Sequence, residues 1–281
     1  MTAKGKRIDL HVHSTASDGT CSPRELVRMA AEQGLAAIAL SDHDTVSGYA
    51  EAAAEGAGLG LEVVPAIEIS TKFGRAVHIL GYYIDMESPE LTALLDWIVH
   101  DRDSRNIKMA QLMAADGLPV SYEVMQQRFG EVIGRPHFAQ LLVELGLAPS
   151  VKAAFELYVE KGRKYYQPRN ILPIEQAVSI IVNAGGIASL AHPFQYRLDD
   201  GGLRELIEHC ISLGLGAMEC RYSGYTTEQS DYLEALAEEY GLLKTGGSDF
   251  HGSNKPHIAL GSGTGDMNVP YEYLETLKKH A

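Results

Sequence analysis

The chain has 281 residues, which fits one large domain, or one with a modest insertion, rather than two independent ones. Hydrophobic residues make up 45% and charged residues 22%, near the globular average, which argues against disorder, fibres and repeats of extreme composition. Lys and Arg number 24 against 37 Asp and Glu, a net charge of -13, which argues against a surface built to grip nucleic acid, duplex DNA included, or anionic lipid, a local basic patch aside.

Short β-rich runs alternate with helical patterns along the chain. The run at 8–13 predicts the first strand. Ser22-Pro23-Arg24-Glu25 then places a cap, a first-turn proline and an N3 glutamate before Leu26, and Gly34 closes that helix. Further strands are predicted at 36–41, 62–70 and 76–84. From about residue 88 to 172 the rhythm changes to helical patterns at 89–116, 122–129, 136–145 and 151–160, with no convincing strand. A helix at 173–184 ends at Gly185-Gly186, and strands return at 187–192, 217–222 and 243–248, with a weaker one at 257–260. A helix at 226–240 ends at Gly241. Strands separated by helices imply parallel pairing through right-handed crossovers. The expectation is an α/β fold, an irregular closed (β/α) barrel from 1–95 and 168–281, with an all-helical insertion at 96–167 capping one barrel end.

Cys21, Cys210 and Cys220 form no CxxC pair, and three is an odd number, so a reducing compartment is expected rather than a disulfide scaffold. No stretch approaches the roughly 18 apolar residues of a spanning helix, and no apolar run follows Met1–Arg7; a cytoplasmic location is expected.

The histidines carry the chemistry. His11 and His13 lie two apart on the first strand, so both imidazoles point one way while Leu10 and Val12 point the other. HxH alone describes a hydrogen-bonded pair as well as two metal ligands. The remaining strand ends shift the balance: Asp18 in a Ser-Asp-Gly-Thr loop, His43 in Ser41-Asp42-His43-Asp44, Glu68, His78, His192 in Ala191-His192-Pro193, and Asp249 and His251 in Ser248-Asp249-Phe250-His251. A lone Asp at a strand end is usually a cap, and a lone buried His usually core. Repetition at six strand ends is better explained by a metal site, because barrel strands deliver these residues to one mouth. Imidazole and carboxylate donors without cysteine suit Mn2+, Zn2+ or Fe2+. Nine ligands exceed one ion's coordination, so two or three divalent ions are expected, with Glu68 or Asp249 as shared carboxylates.

These motifs together, His-Val-His, Ser-Asp-Gly, Ser-Asp-His-Asp, Glu68, Leu-Ala-His-Pro and Gly-Ser-Asp-Phe-His, resemble those of the PHP (polymerase and histidinol phosphatase) superfamily from residue 8 to 251. The resemblance implies a distorted (β/α)7 barrel, TIM-like, with a two- or three-metal phosphoesterase site, Mn2+ first among the candidate ions, at the same nine residues. Ile133-Gly134-Arg135-Pro136-His137 and the 158–166 segment are similar to the compact, stand-alone members, some of which remove the 3′-phosphate from nucleoside 3′,5′-bisphosphates while relatives trim short RNA from the 5′ end. Expected roles are Asp249 positioning the attacking water, and Arg135, His137, Lys164, Arg102 and Arg105 contacting a nucleotide bisphosphate, with Arg163 and Arg169 weaker candidates. Rivals are a 5′-to-3′ exoribonuclease, a histidinol-phosphate phosphatase, an amidohydrolase and a non-catalytic nucleotide sensor. Trp97 and Tyr165-Tyr166 fit base stacking or a helical core. Cys21 fits the mouth or a small buried thiol. Glu219 fits either support of a metal ligand or a pair with Arg221.

Overall fold

The computed structural model describes residues 5–129 and 133–281, so Met1–Lys4 of the N-terminal run lie outside the described residues. It divides into two compact units, Met1–Thr92 with Ile171–Ala281, and Ala93–Asn170.

The first unit is a nearly closed α/β barrel. Its strands are β1 (Arg7–Val12), β2 (Ala37–Leu40), β3 (Glu62–Phe73), β4 (Arg75–Tyr82), β5 (Leu172–Pro173), β6 (Ile187–Leu190), β7 (Ala217–Tyr222), β8 (Leu243–Gly247) and β9 (Val269–Pro270). They follow the order β8-β7-β6-β4-β3-β2-β1-β9, with β5 beside β3. Closure comes after β8, where the His13 amide donates to Phe250 O over 3.0 Å and the Asp249 amide donates to His11 O over 2.8 Å. Gly247 permits this approach, because a Cβ there would meet the His11 Cβ at 2.3 Å.

Two expectations are corrected. Pairing is not uniformly parallel: β4 runs antiparallel to both β3 and β6. The cause is local, since only Gly74 (φ +65) separates β3 from β4, and a hairpin reverses the chain where a helix would have preserved its direction. The weak strand at 257–260 is a turn with one isolated bridge, Ala259 to Gly263.

Helices α1 (Pro23–Glu32) and α2 (Tyr49–Leu59) cover β1–β3. The α1 start is a capping box in which Ser22 Oγ accepts from the Glu25 amide at 3.3 Å and the Glu25 carboxylate accepts from the Ser22 amide at 2.7 Å. A long helix, α3 (Pro89–Ala115), leads into the second unit, which continues with α4 (Tyr122–Phe129), α5 (Arg135–Glu144) and α6 (Val151–Ala154), the last widening into a π turn at Phe155–Val159. Among its described residues this unit is all helical, with its own core of Met109, Met113, Met125, Phe138, Leu142 and Val159. The barrel then resumes with α7 (Ile174–Asn183), α8 (Asp200–Ser212), α9 (Thr227–Glu239) and α10 (Tyr271–Lys278).

Two register shifts decide which side chains face the barrel mouth. In β1 the pairing with β2 slips between Asp9 and Val12. Ile8 and Leu10 therefore pack with Leu80 and Tyr82, whereas Val12 packs with Leu26 and Ile38 in a separate cluster. Leu10 and Val12 do not share a face, against the simple alternation expected from sequence. In β7 the pairing with β8 slips between Glu219 and Arg221. Arg221 pairs with Glu234 on α9, while Glu219 and Tyr222, three apart, both reach the histidines at the mouth. All three cysteines are free thiols, and among the described residues no helix is long and apolar enough to cross a membrane.

Candidate metal centre

The nine sequence-predicted ligands lie close together: five imidazoles face Glu68, and Asp249, His251 and Asp18 join through them, while among the described residues His192 alone of the nine falls in none of the donor groups that could hold an ion. His11 Nε2 and His13 Nε2 each lie 3.2 Å from Glu68 Oε2, and His43 Nδ1 lies 3.1 Å from the same oxygen. On the other oxygen, Oε1, stand His78 Nδ1 at 2.9 Å and His192 Nε2 at 3.0 Å. Asp249 Oδ1 faces His13 Nε2 at 3.2 Å, His251 Nδ1 at 3.3 Å and His11 Nε2 at 3.7 Å. Asp18 Oδ1 lies 3.2 Å from His251 Nε2 and 3.9 Å from His13 Nδ1. Three donor groups result: His13, Asp18, His43 and His251; His11, His13, Glu68 and Asp249; and His43, Glu68 and His78, each with its donor atoms within 4.8 Å of one another.

The arrangement fits divalent cations. His11 Nε2, both nitrogens of His13, His43 Nδ1 and Glu68 Oε2 are buried without a hydrogen-bond partner. Leaving so many buried polar atoms unpaired would cost on the order of 1–3 kcal/mol each. Two donors sharing an ion at about 2.0–2.2 Å sit roughly 3.0–3.5 Å apart, so atoms at 3.1–3.2 Å that make no hydrogen bond are spaced as co-ligands. Burial, partly opposed by Glu68 and reinforced by His13 and His78, holds His43 down at about 4, the neutral form a metal requires. Burial works against a charge on His13 as well, but the Asp249 and Glu68 carboxylates facing its Nε2 overcome it and raise His13 to about 9. For Glu68 the surrounding imidazoles, His43 and His11 foremost, outweigh burial and keep its carboxyl well below the usual range.

Other buried groups brace the candidate ligands. Asp42 is not a ligand; its carboxylate accepts from the Ser14 amide at 2.7 Å, Ser14 Oγ at 2.7 Å and Ser17 Oγ at 2.6 Å, fixing the loop that bears Asp18. Asp9 ties β1 to the end of β8 by accepting from the Ser248 amide at 2.8 Å, and to the following loop through the Gly261 amide at 2.7 Å. Glu219 does not pair with Arg221. Its Oε1 accepts from His11 Nδ1 at 3.0 Å and its Oε2 from the His192 amide at 2.7 Å. Tyr196 Oη donates to Ala191 O at 2.7 Å and accepts from the His78 amide at 3.0 Å, joining two ligand-bearing strands. Asp9, Tyr196 and Tyr222 escaped sequence reading because such roles follow from position rather than from any local pattern.

In the helical unit, three arginines act on a fourth, Arg105. Burial first, then the charges of Arg135, Arg169 and Arg102, lower Arg105 to about 10. Arg135 lies over the rings of Phe155 and Tyr166, 5.8 and 5.7 Å from their centroids, with no carboxylate partner among the described residues. Lys164 differs, being held by Asp116 at 2.5 Å. His137 Nδ1 accepts from the Gly134 amide at 2.9 Å and its ring stacks on Phe129, so one nitrogen serves the α5 cap. Tyr165 is core, donating to Asp116 Oδ2 at 2.6 Å, and Trp97 is 43% exposed.

The chain is similar to known proteins over nearly its whole length. A 5′-3′ exoribonuclease of Haemophilus influenzae is 36% identical over 88% of this chain and 90% of its own. A 3′,5′-nucleoside bisphosphate phosphatase of Chromobacterium violaceum is 34% identical over 87% of each. A crystal structure from Bifidobacterium adolescentis, assigned as a metal-dependent phosphoesterase, superposes with a TM-score of 0.82 at 29% identity, covering 99% of this chain and 97% of that one. The PHP domain model matches residues 9–166, more than half of the sequence, and with the conserved length of its relatives this establishes that the chain belongs to the PHP domain family.

Proposed function

We propose that this protein is a metal-dependent phosphomonoesterase that removes the 3′-phosphate from nucleoside 3′,5′-bisphosphates, converting adenosine 3′,5′-bisphosphate to AMP and phosphate. The observation that carries the metal dependence is the set of buried, unpartnered donor atoms facing one another around Glu68. His11, His13, Asp18, His43, Glu68, His78, His192, Asp249 and His251 would hold two or three divalent ions, Mn2+ being the first choice on the family resemblance, with Zn2+ and Fe2+ equally suited to imidazole and carboxylate donors. Such ions, when bound, polarise phosphoryl oxygens and lower the pKa of water.

The protein's own groups have separate tasks. Asp249 keeps Oδ1 toward the histidines while Tyr222 and Lys255 hold Oδ2, so its carboxylate has a fixed orientation from which to position the attacking water. Arg135, with Arg102 and Arg105, supplies planar donors suited to a phosphate that does not react. Binding energy from that second phosphate can then be used at the reacting one. Lys164 and His137 are weaker candidates for this task, because Asp116 and the Gly134 amide already engage them.

The 36% identity to an exoribonuclease supports a second reading, stepwise 5′-to-3′ removal of nucleotides from short RNA. The test is phosphate release from adenosine 3′,5′-bisphosphate with Mn2+ and with chelator, run beside an end-labelled oligoribonucleotide and histidinol phosphate. Release that depends on Mn2+ and is fastest on the bisphosphate supports the first reading. A product ladder from the oligonucleotide, without bisphosphate turnover, supports the second. Binding of the bisphosphate without turnover of any substrate would leave a sensor. Arg135→Ala should impair the bisphosphate more than an aryl phosphate, and equal loss on both refutes the anchoring role.

A further inference from the structure

Glu219 is fully buried, yet it lies in no motif and belongs to none of the three donor groups. Its two oxygens act on different ligands. By accepting from His11 Nδ1, Oε1 fixes the tautomer in which His11 Nε2 keeps a free lone pair, and that atom faces Glu68 Oε2 at 3.2 Å. Oε2 accepts from the amide of His192, a residue held at φ +28, where a side chain is rarely stable without support. The His192 ring in turn faces the other Glu68 oxygen at 3.0 Å. One carboxylate thus braces both sides of Glu68: on one, His11 of a donor group; on the other, His192, which lies in none but holds Glu68 Oε1. The β7 register shift makes this reach available beside Tyr222.

We infer that Glu219 is a positioning residue that couples the two donor groups sharing Glu68, so that disturbing it would weaken ions held by both together. The inference rests on the metal-centre reading and not on the identity of the substrate. Glu219→Gln keeps an acceptor for His11 Nδ1–H but turns an amide N–H2 against the His192 N–H; Glu219→Ala removes both acceptors.

The experiment titrates metal-free wild type, Glu219→Gln and Glu219→Ala with Mn2+ and with Co2+. It reads the number of ions bound, their affinities, the Co2+ absorption spectrum and the rise in Tm on metal addition. Expected is a loss of about 10–100-fold in affinity for at least two ions, with an altered Co2+ spectrum and a smaller metal-induced rise in Tm. A drop in Tm that is equal with and without metal, at unchanged affinity, would show a merely structural role and overturn the proposal. Loss confined to a single ion would overturn the coupling. Should Glu219→Ala fail to fold, Glu219→Gln, nearly the same shape, decides alone. Wild type that binds no divalent ion would sink the metal-centre reading itself, whereas wild-type binding matched by both variants would sink only the role of Glu219.

Discussion

Tyr222 Oη donates to Asp249 Oδ2 over 2.6 Å, so that the other oxygen, Oδ1, is the one turned toward His11 and His13. Lys255 Nζ reaches the same Oδ2 at 2.6 Å. Tyr222→Phe keeps the ring and removes the donor, leaving Lys255 as the single restraint. Metal affinity is expected to fall by roughly 10-fold while the fold is retained. Metal titration beside a thermal melt checks this, and wild-type affinity in the variant would refute it.

Asp42 satisfies one backbone amide and two hydroxyls of the loop that carries Asp18. Asp42→Ala leaves those donors without their acceptor in a buried place, at a cost of about 3 kcal/mol. Denaturant unfolding of the metal-free variant should show that loss, and metal binding should weaken as well because Asp18 is no longer held. Unchanged stability would contradict the assignment.

Gly247 is required by contact rather than by backbone conformation. A methyl group there collides with the His11 backbone and Cβ, at the seam where β8 meets β1. Gly247→Ala is therefore expected to destabilise by about 3 kcal/mol, the upper end of the usual cost of overpacking, because the atoms met are largely backbone. Expression as a soluble protein with wild-type Tm would show that the seam can yield.

The metal-free protein should respond to pH in a defined direction. Folding raises His13 from its usual 6.5 to about 9, with burial opposing and Asp249 and Glu68 prevailing. A group raised on folding stabilises the fold fully below its unfolded value, and that contribution disappears as pH climbs through the folded value. Chelated protein should accordingly lose Tm between about pH 6.5 and 9, and metal affinity should rise over the same interval because the ion displaces that proton. A chelated Tm that stays level across this window would count against the charged cluster.

Much of the site was legible in the chain because metal ligation demands particular side chains. His11, His13, His43, His78, His192 and His251 with Asp18, Glu68 and Asp249 can be picked out by residue type and by their places at strand ends. Helix starts such as Ser22-Pro23-Arg24-Glu25 were legible for a similar reason, since a cap is completed within four residues. What the sequence alone determined was therefore the inventory of candidate ligands and the alternation of strands and helices around them.

Tertiary structure decided how that inventory is used. Glu68 serves five imidazoles through two oxygens, and Glu219 joins His11 to His192 across 208 and 27 residues of chain. The antiparallel β4 follows from a single glycine, and the slips in β1 and β7 change which residues face the mouth. A strand's alternation is local, but its register is fixed by the neighbour it pairs with. Which carboxylate lies among the histidines and which one braces them from behind depends on that register, and so only the folded barrel could place Glu68 in the first position and Glu219 in the second.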